Sequence, residues 1–180
     1  TKNLGAIGDA GMIVTNDENL AALAKQLRNY GQSERYVHPL AGMNSRLDEI
    51  QAAILSSRLN WLERFTARRQ EIALLYNQNI RNSKITLFNS GDPNSHSYHL
   101  YVVRCESRDA LKEYLLSNSI ETNLHYPLSL THQESLRDIR TDARGVPNSI
   151  SHAQSCISLP CHPQMRDSDV WNVINAVNMY

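Results

Sequence analysis

Only one stretch in the first 80 residues reads as a β-strand: GMIVTND, Gly11 to Asp17, a short apolar run that ends in a turn. Two helical patterns follow it. One strand and two helices cannot close a sheet and bury both of its faces. Residues 1–80 are therefore expected to be the end of a larger domain whose beginning lies outside this chain. An exposed apolar surface is expected where the missing sheet would pack.

The first helical pattern is ENLAALAKQLRNYG. Asn16 or Asp17 can cap it, Glu18 adds negative charge near its start, and Gly31 is a stop signal. The second begins after a polar loop holding Tyr36, His38 and Pro39. Ser45, with Asp48 three residues on, resembles a capping box. Leu47, Ile50, Ile54, Leu55, Leu59 and Leu62 then recur at helical spacing, predicting one long helix that reaches Asn79.

Residues 81–180 read as a small α/β unit. SYHLYVVRC is a strand by its Tyr and Val content, SRDALKEYLLSNS a helix, and IETNLHYPLSL a second strand. HAQSCISLP starts helical and ends at Pro160. RDSDVWNVINAVNMY is a terminal helix with Val170, Val173, Ile174 and Val177 inward. The segments RNSKITLFNSGDPNSHS and RDIRTDARGVPNS are polar connections.

Charge excludes some partners. The 180 residues carry 18 basic and 18 acidic side chains, so no field of one sign draws nucleic acid or an anionic membrane. No apolar run reaches the length of a membrane span. Cys105, Cys156 and Cys161 are odd in number, lack metal-site pairing and suit a reducing compartment, the cytoplasm.

Read singly, the candidate chemical residues are modest. Lys2 alone is a solvated lysine, and the glycines at 5, 8 and 11 do not fit a phosphate-cradling GxGxxG. Asn44 is either a turn residue or a phosphate donor placed before a helix. Arg46 can reach a phosphate or pair with Asp48 or Glu49. Tyr36 lies in a polar loop, and His125-Tyr126-Pro127 ends a strand. His96, His99, His152 and His162 lack metal spacing, and no metal is expected. Trp61 and Trp171 read as packing residues.

Their order changes the reading. TKNLGAIGDAGMIVTND, LRNYG, NSRLDEIQAAIL, HYPLSLTHQ and ISLPCHPQM occur in succession. Together they resemble the DegT/DnrJ/EryC1/StrS sugar aminotransferases, pyridoxal-phosphate enzymes of fold type I. The resemblance implies the C-terminal part of that α/β fold: the end of the large domain with a linking helix over 1–80, and the small domain over 81–180.

It further implies that Lys2 is the Schiff-base lysine, both catalytic and cofactor-binding, with pyridoxamine phosphate as the intermediate form. Asn44 would reach the cofactor phosphate of a neighbouring subunit, making the enzyme a homodimer. Tyr36, His125 and Tyr126 would contact substrate. The substrate would be a nucleotide-linked keto-deoxy sugar and the amino donor L-glutamate, in O-antigen, lipopolysaccharide or other glycan biosynthesis. Relatives with histidine at the lysine position are dehydratases, so Lys2 argues for transamination. The segment LSLTHQ keeps His132 but lacks the family's nearby proline, and the role of His132 stays open. The family's upstream part supplies most of the sheet, the ring-stacking aromatic, the acid at the ring nitrogen and much of the phosphate cup. The alternative is a catalytically inactive truncated remnant that serves as a dimerisation or binding module.

Overall fold

The computed structural model describes residues 2–88, 91–140 and 142–180. Thr1 of the opening stretch, Asn89 and Ser90 of the first polar connection, and Thr141 of the second lie outside the described residues. The chain forms two units, Thr1–Leu62 and Glu63–Tyr180.

In the first unit the Gly11–Asp17 run is not a strand. Met12, Ile13 and Val14 are exposed, and no described residue pairs with their backbone. A strand is made by its neighbour's ladder as much as by its own side chains, and no described residue supplies that ladder here. Helix α1 spans Glu18–Leu27 and is capped as expected: Asp17 Oδ1 accepts from the Asn19 and Leu20 amides at 2.9 and 3.1 Å. The expected single long helix is two, α2 over Glu49–Leu59 and α3 over Leu62–Asn79, interrupted at Asn60 and Trp61. Asp48, not Ser45, occupies the N-cap of α2. Ser45 instead donates its amide to the Arg28 carbonyl at 2.8 Å, beyond the end of α1.

That pairing depends on two glycines. A Cβ on Gly31 would sit 1.8 Å from the Leu40 carbonyl oxygen, and one on Gly42 would sit 2.2 Å from the Gly31 nitrogen. The two backbone segments can approach only because both side chains are hydrogen atoms.

The second unit has a three-stranded antiparallel sheet in the order β1 (Thr86–Leu87), β2 (Tyr101–Arg104), β3 (Cys156–Leu159). Tyr101 faces Leu159 and Val103 faces Ile157 across the β2–β3 ladder. The strand expected in IETNLHYPLSL reduces to a single bridge, Asn123 with Ser158; the actual strand is CISL, at the end of the segment read as helical. Helix α4 spans Arg108–Ser117, α5 Pro147–Ser155 and α6 Asp167–Met179.

The core lies among α3, α4, α6 and the sheet. Ile72 and Tyr76, Leu111 and Leu115, and Val170, Ile174 and Val177 meet Val103 and Ile157 there, all essentially buried. Burying each aliphatic side chain contributes about 2 kcal/mol. The four residues predicted to face inward on the terminal helix are buried, together with Ala176.

One charge enters this core. Arg69 of α3 is buried and donates Nη1 to the carbonyls of Tyr98 and His99, at 3.1 and 3.0 Å, and to that of Cys161. Tyr76 donates its hydroxyl to the Pro160 carbonyl at 2.7 Å. Helix α3 is thus tied to the segment entering β2 and the segment leaving β3. The expected division after residue 80 and the observed one after Leu62 differ by this helix, whose buried face belongs to the second unit.

Candidate functional site

The candidate residues fall in both units. Lys2 is exposed, and among the described residues its amine has no hydrogen-bond or ion-pair partner. The backbone turns sharply just after it, with Gly5 at φ +71°. A Cβ there would lie 3.3 Å from the Lys2 carbonyl oxygen. Asn44 is in the same unit but on another segment. It bridges to Asn29 beyond the end of α1, and its exposed side-chain amide makes no hydrogen bond among the described residues. No hydrogen bond joins Lys2 to Asn44 there.

Tyr36 stands at φ +70° on a tight loop closed by the Ser33 amide donating to the Val37 carbonyl. It is 78% exposed, and its phenol accepts from Arg35 Nη2 at 3.1 Å. His38 sits 3.0 Å from the Tyr30 carbonyl through Nδ1. Arg46, for which two roles were open, lies over the Tyr30 ring at 5.6 Å; among the described residues it forms no ion pair with Asp48 or Glu49.

In the second unit, His125 is half-buried with Nδ1 2.9 Å from Ser158 Oγ. Its ring meets Tyr126 edge-on at 5.5 Å, and the peptide between them is cis. Tyr126 is exposed. His125 opens onto a cavity of about 850 Å³, also lined by Lys112, Thr122, Ser158, His162 and Asp169. Thr122 Oγ1 is buried there without a hydrogen-bond partner. The Arg166 guanidinium beside Asp169 holds that carboxyl below the usual range. Burial pushes the Cys161 thiol up to about 11, so it is a neutral group at physiological pH. His132 ends an exposed 3-10 turn.

Ser158 was missed in the sequence. It sits between Ile157 and Leu159 on β3, so alternation turns it to the opposite face, toward His125. Reading CISL as a strand would have exposed it. Among the described residues no cluster of His, Cys, Asp and Glu could hold a metal ion, and no helix is long and apolar enough to cross a membrane.

The model of the DegT/DnrJ/EryC1/StrS aminotransferase family matches residues 1–178. The chain belongs to this family. A dTDP-3-amino-3,6-dideoxy-alpha-D-galactopyranose transaminase from Aneurinibacillus thermoaerophilus is 42% identical over 99% of this chain and 53% of its own length. The Streptomyces venezuelae DesV crystal structure, in complex with a ketimine intermediate, superposes at a TM-score of 0.92 with 35% identity, over 98% of this chain and 48% of that one. A family aminotransferase from Brucella abortus gives the same TM-score at 30% identity, over 98% and 48%.

The chain thus spans about half the length of the curated relatives it matches. Its fold is that of part of a fold type I, pyridoxal-phosphate-dependent aminotransferase. Several of the relatives it resembles are named as transaminases of nucleotide sugars.

Proposed function

We propose that this chain is the C-terminal half of a pyridoxal-phosphate nucleotide-sugar aminotransferase in which Lys2 holds the cofactor. The observation that carries the reading is the exposed Lys2 amine, without a partner among the described residues, at the head of a glycine turn in a chain matched by the family over residues 1–178. The residues present suit the cofactor. An amine can condense with its aldehyde, and the uncommitted Asn44 amide can donate to its phosphate. When bound, pyridoxal phosphate supplies the electron sink for transfer of an amino group.

Lys2 then has two tasks: anchoring the cofactor, and carrying a proton at Nζ once an amino donor has freed it. Asn44 serves the cofactor phosphate of a second copy, so the working enzyme is a homodimer. His125, steadied through Nδ1 by Ser158, presents its ring to the substrate, with Tyr126 and Tyr36 as further hydroxyl partners. The cavity beside His125 is of a size for a small-molecule ligand. The substrate is a keto-deoxy sugar on a nucleoside diphosphate, the donor L-glutamate, and the product enters cytoplasmic O-antigen, lipopolysaccharide or other glycan synthesis. The first unit's exposed apolar side chains support a further half of the large domain packing there.

The test starts with the intact mass of the native polypeptide. A species clearly heavier than the chain's 20.4 kDa is expected. That protein should aminate dTDP-linked keto-sugars at the expense of L-glutamate, and Lys2→Ala should reduce the rate to background. A native species at 20.4 kDa without activity would leave the truncated binding module as the reading.

A further inference from the structure

Lysine is a poor residue to place by its own side chain: four flexible carbons separate the amine from the backbone. If Lys2 acts on a cofactor, its backbone has to be fixed from outside. The loop it heads, residues 2–9, is neither helix nor strand. Two side chains of helix α2 hold it. Arg58 Nε donates to the Leu4 carbonyl at 2.5 Å, and Gln51 Nε2 donates to the Asp9 carbonyl at 3.3 Å.

The pattern is specific to one helix face. Gln51 and Arg58 are seven residues apart, two turns of an α-helix, so both lie on one stripe separated by about 10 Å along the axis. Ile54 and Leu55 sit between them on that stripe and are half-buried, while Ile50, Ala53, Ser56 and Ser57 are exposed. The loop runs antiparallel to the helix, its early part at Arg58 and its late part at Gln51. Its closest residues, Asn3 to Ala6, are half-buried, whereas Ile7 to Val14 are exposed.

The fit is tightest at Gly5. A Cβ there would lie 3.1 Å from Arg58 Nη2, whereas one on Gly8 would meet the Gln51 amide at an ordinary contact distance of 3.4 Å. Gln51 Oε1 is buried with no partner among the described residues, and Nε2 of the same amide makes the bond to the loop at Asp9.

We infer that Arg58, supported by Gln51, is a positioning residue for Lys2: helix α2 grips the Lys2–Asp9 loop by two backbone carbonyls and thereby sets where the Lys2 amine stands. The inference rests on the reading of Lys2 as the cofactor-bearing lysine. It adds residues more than forty positions away in sequence whose contacts are with the loop's carbonyls.

The test uses the intact native protein and its Arg58→Ala, Arg58→Lys, Gly5→Ala and Lys2→Ala variants. Hydrogen exchange reads the amides of residues 3–9. Incubation with pyridoxal phosphate, borohydride reduction and peptide mass analysis read how fast the cofactor is fixed at residue 2. Arg58→Ala should speed exchange in residues 3–9 alone and slow fixation by about 10-fold or more, with kcat reduced and KM for the keto-sugar little changed. Arg58→Lys should recover part of the loss, because one donor still reaches the Leu4 carbonyl. Gly5→Ala should copy Arg58→Ala and add little to it. Wild-type exchange and fixation in Arg58→Ala overturn the inference. So does loosening spread evenly over the chain, which marks Arg58 as merely structural. Fixation undiminished in Lys2→Ala overturns the Lys2 reading instead, whatever the loop does.

Discussion

Leu23 of α1 and Leu115 of α4 are the same residue type on helices of the same length, yet Leu23 is 42% exposed and Leu115 fully buried. The contrast holds across the two units. In residues 63–180 the apolar faces of α3, α4 and α6 close on a sheet. In residues 1–62 Leu20, Leu23 and Leu27 of α1, Ile50 and Leu59 of α2 and the Met12–Val14 run are exposed, and no residue of either helix is buried. The first unit is held by polar backbone closures instead: the Asp17 cap, the Gly31–Gly42 approach and the Arg58 grip. An amphipathic helix therefore states which face wants cover, not whether the same chain provides it.

The two tryptophans give each unit its own reporter, Trp61 in the first and Trp171 in the second. The largest effect should come from Leu115→Ala. It should lower the stability reported by Trp171 in urea unfolding by about 3 kcal/mol, whereas Leu23→Ala should shift the Trp61 signal by about 0.5 kcal/mol or less. Equal shifts would erase the contrast.

A smaller effect is tied to pH. The Cys161 thiol is raised from 9.0 to about 11 in the fold. Between those values the unfolded chain gives up its proton while the folded chain keeps it, so stability falls as pH rises. The expected loss across that window is about 2 kcal/mol, one pKa step being about 1.4 kcal/mol. Cys161→Ala should flatten that part of the Trp171-monitored curve, and an unchanged slope would exclude the thiol as its source. Smallest is Asp17→Ala, which removes an exposed cap. It should cost α1 about 1 kcal/mol, seen as faster exchange of the Asn19 and Leu20 amides with no change at Trp171.

Much of this was legible in the sequence, in a particular way. Local signals were reliable for the Asp17 cap, the YVVR part of SYHLYVVRC and the inward face of α6. They failed where pairing decides. GMIVTND has strand composition but no ladder partner among the described residues, and CISL was hidden because a helix runs into it with no turn between. The interruption at Asn60–Trp61 has no glycine or proline to announce it. Trp61 and Trp171, read as packing residues, are 49% and 42% exposed. For the candidate site, the motif order named Lys2, Asn44 and His125. Spacing could not name Arg58, Gln51 or Ser158, because each acts on a segment distant in sequence.

Arg69 bears on how the protein is made. Its guanidinium waits for the carbonyl of Cys161, 92 residues later, and the core it borders is completed by Val177 of α6. During synthesis α3 emerges long before those groups exist. Until Cys161 and α6 have left the ribosome, the Arg69 cation and the apolar face of α3 have nowhere to go. The second unit should therefore fold only after α6 has emerged, and a nascent chain stalled before Cys161 should be open to proteases and bound by chaperones.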